Sequence, residues 1–77
     1  FLQEWFDLKA KYNNSCLACG ISEKKLFILT KKNLDLDHII PIVKGGKNVI
    51  SNIQPLCHSC NAKKGVKIIN YIKNYGR

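Results

Sequence analysis

Leu34-Asp35-Leu36-Asp37-His38-Ile39-Ile40-Pro41 sets a carboxylate beside an imidazole inside an otherwise apolar, strand-like run. Burying charges or unpaired polar groups is costly, so an Asp-His pair among Leu, Ile and Pro must be partnered, metal-bound or placed at a reactive edge. Leu34 and Leu36 alternate with Asp35 and Asp37 at the period of a strand. Pro41 cannot donate to a ladder, so this strand should end or bend between His38 and Ile40.

Moving outward, Lys44-Gly45-Gly46-Lys47-Asn48 is a turn cluster, and the stretch from Val49 to Leu56 leads back as a second strand. Residues 34–56 therefore read as two strands joined by a long loop. Cys57 to Lys64 suits a short helix ended by Gly65. A helical pattern resumes through Ile68, Ile69, Tyr71 and Ile72, with Gly76 closing it. Upstream, Leu26-Phe27-Ile28-Leu29-Thr30 predicts a strand by its β-branched and aromatic content, although Ser22 with Lys25 behind it could start a helical turn. Residues 1–12 predict a helix whose stripe of Leu2, Trp5, Phe6, Leu8 and Tyr12 packs on the core, and Asn13-Asn14-Ser15 ends it.

A chain of 77 residues allows one domain with a thin core, which needs a staple. The net charge of +8, from 13 Lys+Arg against 5 Asp+Glu, implies a polyanionic partner such as nucleic acid; a solvated lysine face is the plainer alternative. No stretch approaches a membrane span and no signal peptide opens the chain, so a soluble, intracellular protein without a membrane partner is expected. The sequence contains no Met, and Phe1 is expected to follow residues of a longer protein of which residues 1–77 are a single domain.

Cys16-x-x-Cys19 and Cys57-x-x-Cys60 are matching knuckles, each able to present two thiolates to one tetrahedral ion. Two such pairs in a small basic chain point to structural zinc. Disulfides in a secreted cationic peptide are the competing reading, but such frameworks do not favour two symmetric Cys-x-x-Cys pairs. Four thiolates saturate a tetrahedral ion, so this zinc leaves no open position for catalysis. The long insertion between the knuckles is where function is expected, since closure entropy grows only as the logarithm of loop length.

Beside the knuckles stand Asp37, His38, Asn52, His58 and Asn61. A carboxylate and an amide oxygen are hard donors suited to Mg²⁺ or a similar cation, and a histidine next to such an ion can take a proton from water. From these residues alone, Asp37 could also order a loop, Asn61 could cap a helix and His38 could be a satisfied core histidine. His58 reads as a phosphate contact or a surface residue.

Cys-x-x-Cys-Gly from Cys16, the Leu34 to Pro41 stretch, Lys44-Gly45-Gly46, and Ser51-Asn52-Ile53-Gln54-Pro55-Leu56-Cys57-His58-Ser59-Cys60-Asn61-Ala62-Lys63-Lys64-Gly65 together resemble the HNH endonucleases of the ββα-metal fold. The resemblance runs from Cys16 to about Gly65. It implies a metal-dependent endonuclease that cleaves DNA to 3′-hydroxyl and 5′-phosphate ends. It makes His38 the general base and Asn52 the brace of the base-bearing loop. Asp37 and Asn61 become ligands of a catalytic divalent cation, Mg²⁺ or Mn²⁺. Some members carry a further His where this chain has Gly65, so two protein ligands are expected here. The implied architecture is a small α+β domain: an N-terminal helix in residues 1–15, a zinc-stapled ββα-metal core in 16–65 and a C-terminal helix in 66–77. Lys44, Lys47, Lys63, Lys64 and Lys67 would neutralise phosphates of double-stranded DNA, with Gln54 a further possible contact. Flanking domains or a dimer would supply specificity. The rival from another class is a zinc-stapled nucleic-acid-binding module without cleavage.

One difficulty is geometric. Neighbours in a regular strand point to opposite faces, so Asp37 and His38 flank one phosphate only if the strand ends or distorts at His38.

Overall fold

The computed structural model describes residues 1–75. Helix α1, Leu2–Lys11, carries Glu4 in its first turn and Lys9 and Lys11 in its last, the charge order that the helix dipole favours. Asn13 and Asn14 then take positive φ, and the Asn14 N–H reaches back to the Lys9 carbonyl at 2.7 Å, which wraps the helix end. Trp5 and Tyr12 are buried as the stripe predicts, but Leu2 and Phe6 are exposed and Lys9 is buried in their place. The reason is an ion pair. Lys9 Nζ lies 3.1 Å from both carboxylate oxygens of Glu23 and over the rings of Trp5 and Phe6.

The expected strand at Leu26 to Thr30 is instead part of helix α2, Glu23–Thr30. Local capping outweighs β-propensity here. Ser22 Oγ accepts from the Lys25 N–H at 3.1 Å, so the helical start suggested by that pair is the one the chain adopts. Glu23, at the first turn, also accepts the Leu34 N–H at 2.9 Å, and so joins α1, α2 and the entry to the sheet. Only Leu26 of α2 is buried.

Strands β1, Asp35–His38, and β2, Ile53–Leu56, pair antiparallel in the register Asp35↔Leu56, Leu36↔Pro55, Asp37↔Gln54 and His38↔Ile53. All of β2 is buried. Pro55 fits within it because its carbonyl faces away from β1 and accepts the Leu17 N–H of the first knuckle at 3.1 Å. The core gathers Cys16, Leu26, Leu34, Leu56 and Cys57, with Leu17, Ile21, Cys60 and Tyr71 packed against it, so the cysteine cluster is continuous with the apolar interior.

Helix α3, His58–Lys64, ends at Gly65 (φ 55°), as the sequence predicts. The expected C-terminal helix does not form over Val66 to Tyr75. The chain runs irregularly to a short 3-10 turn at Ile72–Asn74, and the closing Gly76 lies outside the described residues. The cause is Gln54. Its buried amide donates to the Ile69 carbonyl at 2.9 Å and accepts the Tyr71 N–H at 2.9 Å, which consumes backbone groups a helix would pair internally. Gln54 is fully buried and is therefore not a DNA contact.

The loop between the strands is closed by Asn52. Its Oδ1 accepts the Ile40 N–H at 2.9 Å, and its Nδ2 donates to the carbonyls of Ile40 at 3.0 Å and Lys47 at 2.9 Å. This closure needs a glycine. A Cβ at Gly46 would overlap the Ile40 carbonyl and lie 3.0 Å from Asn52 Nδ2. Gly46→Ala is expected to destabilise the domain by about 2 kcal/mol or more, because rigid backbone must move, read as a lower urea midpoint with little change in slope.

Candidate active site and metal centre

Side chains at alternate positions of β1 share a face, and residues three apart on α3 share another. The two faces meet. Asp35 Oδ2 accepts from Asn61 Nδ2 at 3.0 Å and lies 3.1 Å from His58 Nδ1. One step along each element, Lys64 Nζ lies 3.3 Å from Asp37 Oδ2 and 3.4 Å from Oδ1, and donates to the His38 carbonyl at 3.0 Å. Gln54 Nε2 adds a 2.8 Å hydrogen bond to Asp37 Oδ2. The Asp35 group is part-exposed, whereas the Lys64 side chain is 0% and the Asp37 side chain 7% accessible. Lys64, expected at a DNA surface, is thus an interior cation. Burial without Asp37 would be prohibitive for it.

His38 serves the opposite side of the strand. Its Nε2 is 2.9 Å from Oδ1 of Asn48, in the loop that Asn52 braces. With an amide oxygen as acceptor, Nε2 carries the proton and Nδ1 is left as the basic nitrogen. The ladder stays regular to His38↔Ile53, and the Ile39 N–H still donates to the Asn52 carbonyl at 2.8 Å. Asp37 and His38 therefore diverge by ordinary strand alternation. The strand ends at His38 and the chain bends at Ile39 and Ile40, as Pro41 predicts.

The four cysteines are free thiols whose Sγ atoms all lie within 4.8 Å of one another. Cys19 and Cys57 Sγ are 3.8 Å apart, which matches the edge of about 3.8 Å that tetrahedral zinc with Zn–S near 2.3 Å requires. Backbone geometry sets the knuckles: the Gly20 N–H donates to the Cys16 carbonyl at 2.8 Å with Gly20 at φ 83°, and the Cys16 N–H to Ile21 at 2.9 Å. Burial raises the Cys19 and Cys60 thiols, and for Cys60 the neighbouring sulfurs push the same way. Burial also pushes Cys16 upward, but the N–H groups of Cys57, Cys19 and Ala18 outweigh it, and its thiol falls below the ordinary value. These cysteines are positioned to bind a structural metal such as zinc.

A model of the HNH endonuclease family matches residues 16–67, which span both knuckles, the β1–β2 hairpin and α3. The chain belongs to the HNH endonuclease family. Neither the curated proteins nor the solved structures compared with it gave a match. Membership points to nuclease or nucleic-acid-binding activity, and no helix among the described residues is long and apolar enough to cross a membrane.

Of the residues expected in the site, the HNH fold brings Asp37 and Asn61 to the β1–α3 junction and puts His38 and Asn52 on the loop side. His58 is exposed apart from its contact with Asp35. Lys44, Lys47, Lys63 and Lys67 are exposed. Two participants, Asp35 and Asn48, stand outside the expected set, and Lys64, expected as a DNA contact, enters as a buried cation. Asp35 shares the strand period of Asp37 and Lys64 lies one helical turn after Asn61, so both faces were readable; nothing local marks Asn48 as the partner of His38.

Zinc is expected at one equivalent per chain. Since a four-thiolate site contributes roughly 10–16 kcal/mol of apparent folding free energy, chelation should abolish the cooperative thermal transition and expose four reactive thiols, measured by scanning calorimetry and thiol titration.

Proposed function

We propose that this HNH domain is a divalent-metal-dependent endonuclease hydrolysing phosphodiester bonds of double-stranded DNA inside the cell. His38 is the general base, Asp37 and Asn61 hold a Mg²⁺ or Mn²⁺ ion, and Asn52 braces the loop beside the base. The observation that carries the reading is the half-buried His38 imidazole held with Nε2 2.9 Å from Asn48 Oδ1, an arrangement in which an Nε2–H donor leaves Nδ1 as the basic nitrogen. An imidazole so oriented can serve as the general base toward a water molecule.

The donor set fits a hard divalent cation. Asp37 contributes a carboxylate, for which the ion has to compete with the Lys64 ammonium. Asn61 commits its Nδ2 to Asp35, so its carbonyl oxygen is the atom left for a ligand role. An ion bound there would neutralise charge on the phosphate and on the leaving oxygen. The exposed Lys44, Lys47, Lys63 and Lys67 hold the DNA backbone without reading sequence, and specificity then falls to flanking domains or a second copy. Binding without cleavage is the second reading, favoured by the burial of Asp37 beneath Lys64.

A plasmid-nicking assay with Mg²⁺ or Mn²⁺ separates the two. His38→Ala should lower the cleavage rate by about 10²–10⁴-fold while DNA affinity holds. Cleavage indifferent to that substitution would sink the mechanism, and DNA binding with no cleavage under any divalent ion would establish the second reading. Replacing both Lys44 and Lys47 with Gln should reduce the slope of log affinity against log salt by about 2, as measured by fluorescence anisotropy.

A further inference from the structure

A buried lysine one helical turn beyond a proposed metal ligand has no solvation to compensate it, so its partners define its role. Lys64 Nζ has two: the Asp37 carboxylate, at 3.3 and 3.4 Å, and the His38 carbonyl, at 3.0 Å. Gln54 Nε2 holds the other side of the same carboxylate at 2.8 Å. Both oxygens of Asp37 therefore have a partner within the chain, one of the partners being a cation.

We infer that Lys64 is an internal counter-cation for Asp37 that competes with the divalent ion, keeping the site assembled without metal and setting how tightly metal binds. The inference rests on the assignment of Asp37 and Asn61 as ligands. Its physical basis is charge. With Lys64 in place the buried pair is neutral, and a divalent ion at Asp37 must share a poorly screened site with an ammonium held by the adjacent carbonyl. Without that ammonium, Asp37 is a buried carboxylate supported only by Gln54, and a divalent ion is the obvious replacement. Through the same bond to the His38 carbonyl, Lys64 touches both Asp37 and the backbone of the proposed base.

Lys64→Met keeps the length and apolar stem but removes the charge. Calorimetric titration of the zinc-loaded chain with Mn²⁺ should give at least about tenfold tighter binding in Lys64→Met than in the wild type, about 1.4 kcal/mol. Lys25→Met, at an exposed position on α2, controls for the change in net charge. The melting temperature of Lys64→Met should be lower without Mn²⁺ and should rise more than the wild type's when Mn²⁺ is added. Should Lys64→Met fail to fold, Lys64→Gln retains a donor to the His38 carbonyl, and the side-chain ammonium resonance of wild-type Lys64 should shift on titration with Mg²⁺. Equal Mn²⁺ affinity in wild type and Lys64 variants, with Asp37→Asn abolishing binding in both, overturns the counter-cation role and leaves the ligand assignment standing. No binding by any of these proteins, or binding indifferent to Asp37→Asn, overturns both.

Discussion

Four sulfurs within 4.8 Å of one another are the constraint on which the domain depends. They draw residues 16–19 against residues 57–60, and everything between, including both strands and the loop that holds Asn48, is an excursion from that closure. The apolar core is too small to impose it alone. The cluster packed around the sulfurs is Leu26, Leu34 and Leu56 beside Cys16 and Cys57 themselves, so packing and metal binding are one event in the same volume. Burial first, and then the closeness of the other sulfurs, disfavours the thiolates of Cys19 and Cys60 until a cation joins them.

Above this staple lies a second, polar interior. Gln54 is inaccessible to solvent, yet each of its amide groups has a partner: Asp37 and Ile69 for the nitrogen, Tyr71 for the oxygen. Lys64 closes the network from α3. No buried side-chain nitrogen or oxygen among the described residues lacks a partner, which is the condition for such a network to specify one arrangement rather than weaken the fold. Through Gln54 the C-terminal segment is tied to the carboxylate that the proposed mechanism uses. Tyr75 is fastened separately, edge-on to Tyr12 and accepting from Asn13.

The regularity of β1 divides the labour of the site. Alternation sends Asp35 and Asp37 toward α3 and His38 toward the loop, and the ladder holds that division to the strand's last residue. A proposed base and a proposed ligand adjacent in sequence are thereby separated by the strand itself. Asn52 fixes the loop on one side through three hydrogen bonds, and Lys64 holds the His38 carbonyl on the other.

The sequence by itself determined the parts whose signal is local or carried by spacing. The two Cys-x-x-Cys pairs specified the staple, the alternation through Leu34 to His38 specified β1, Pro41 marked its end, and Gly65 stopped α3. Tertiary structure alone decided the rest, because it turned on which polar group would be buried against which. Glu23 as partner of Lys9 and the Leu34 N–H, with the Ser22 cap, made a helix of a stretch rich in β-formers. Gln54 took the backbone of residues 69–71 and left no helix there. Lys64, which helical spacing puts on the face of Asn61 but which carries the same side chain as its exposed neighbour Lys63, was drawn inside by Asp37 from 27 residues away. A lysine's address depends on where a distant carboxylate is desolvated, and that is a property of the packed chain rather than of any segment of it.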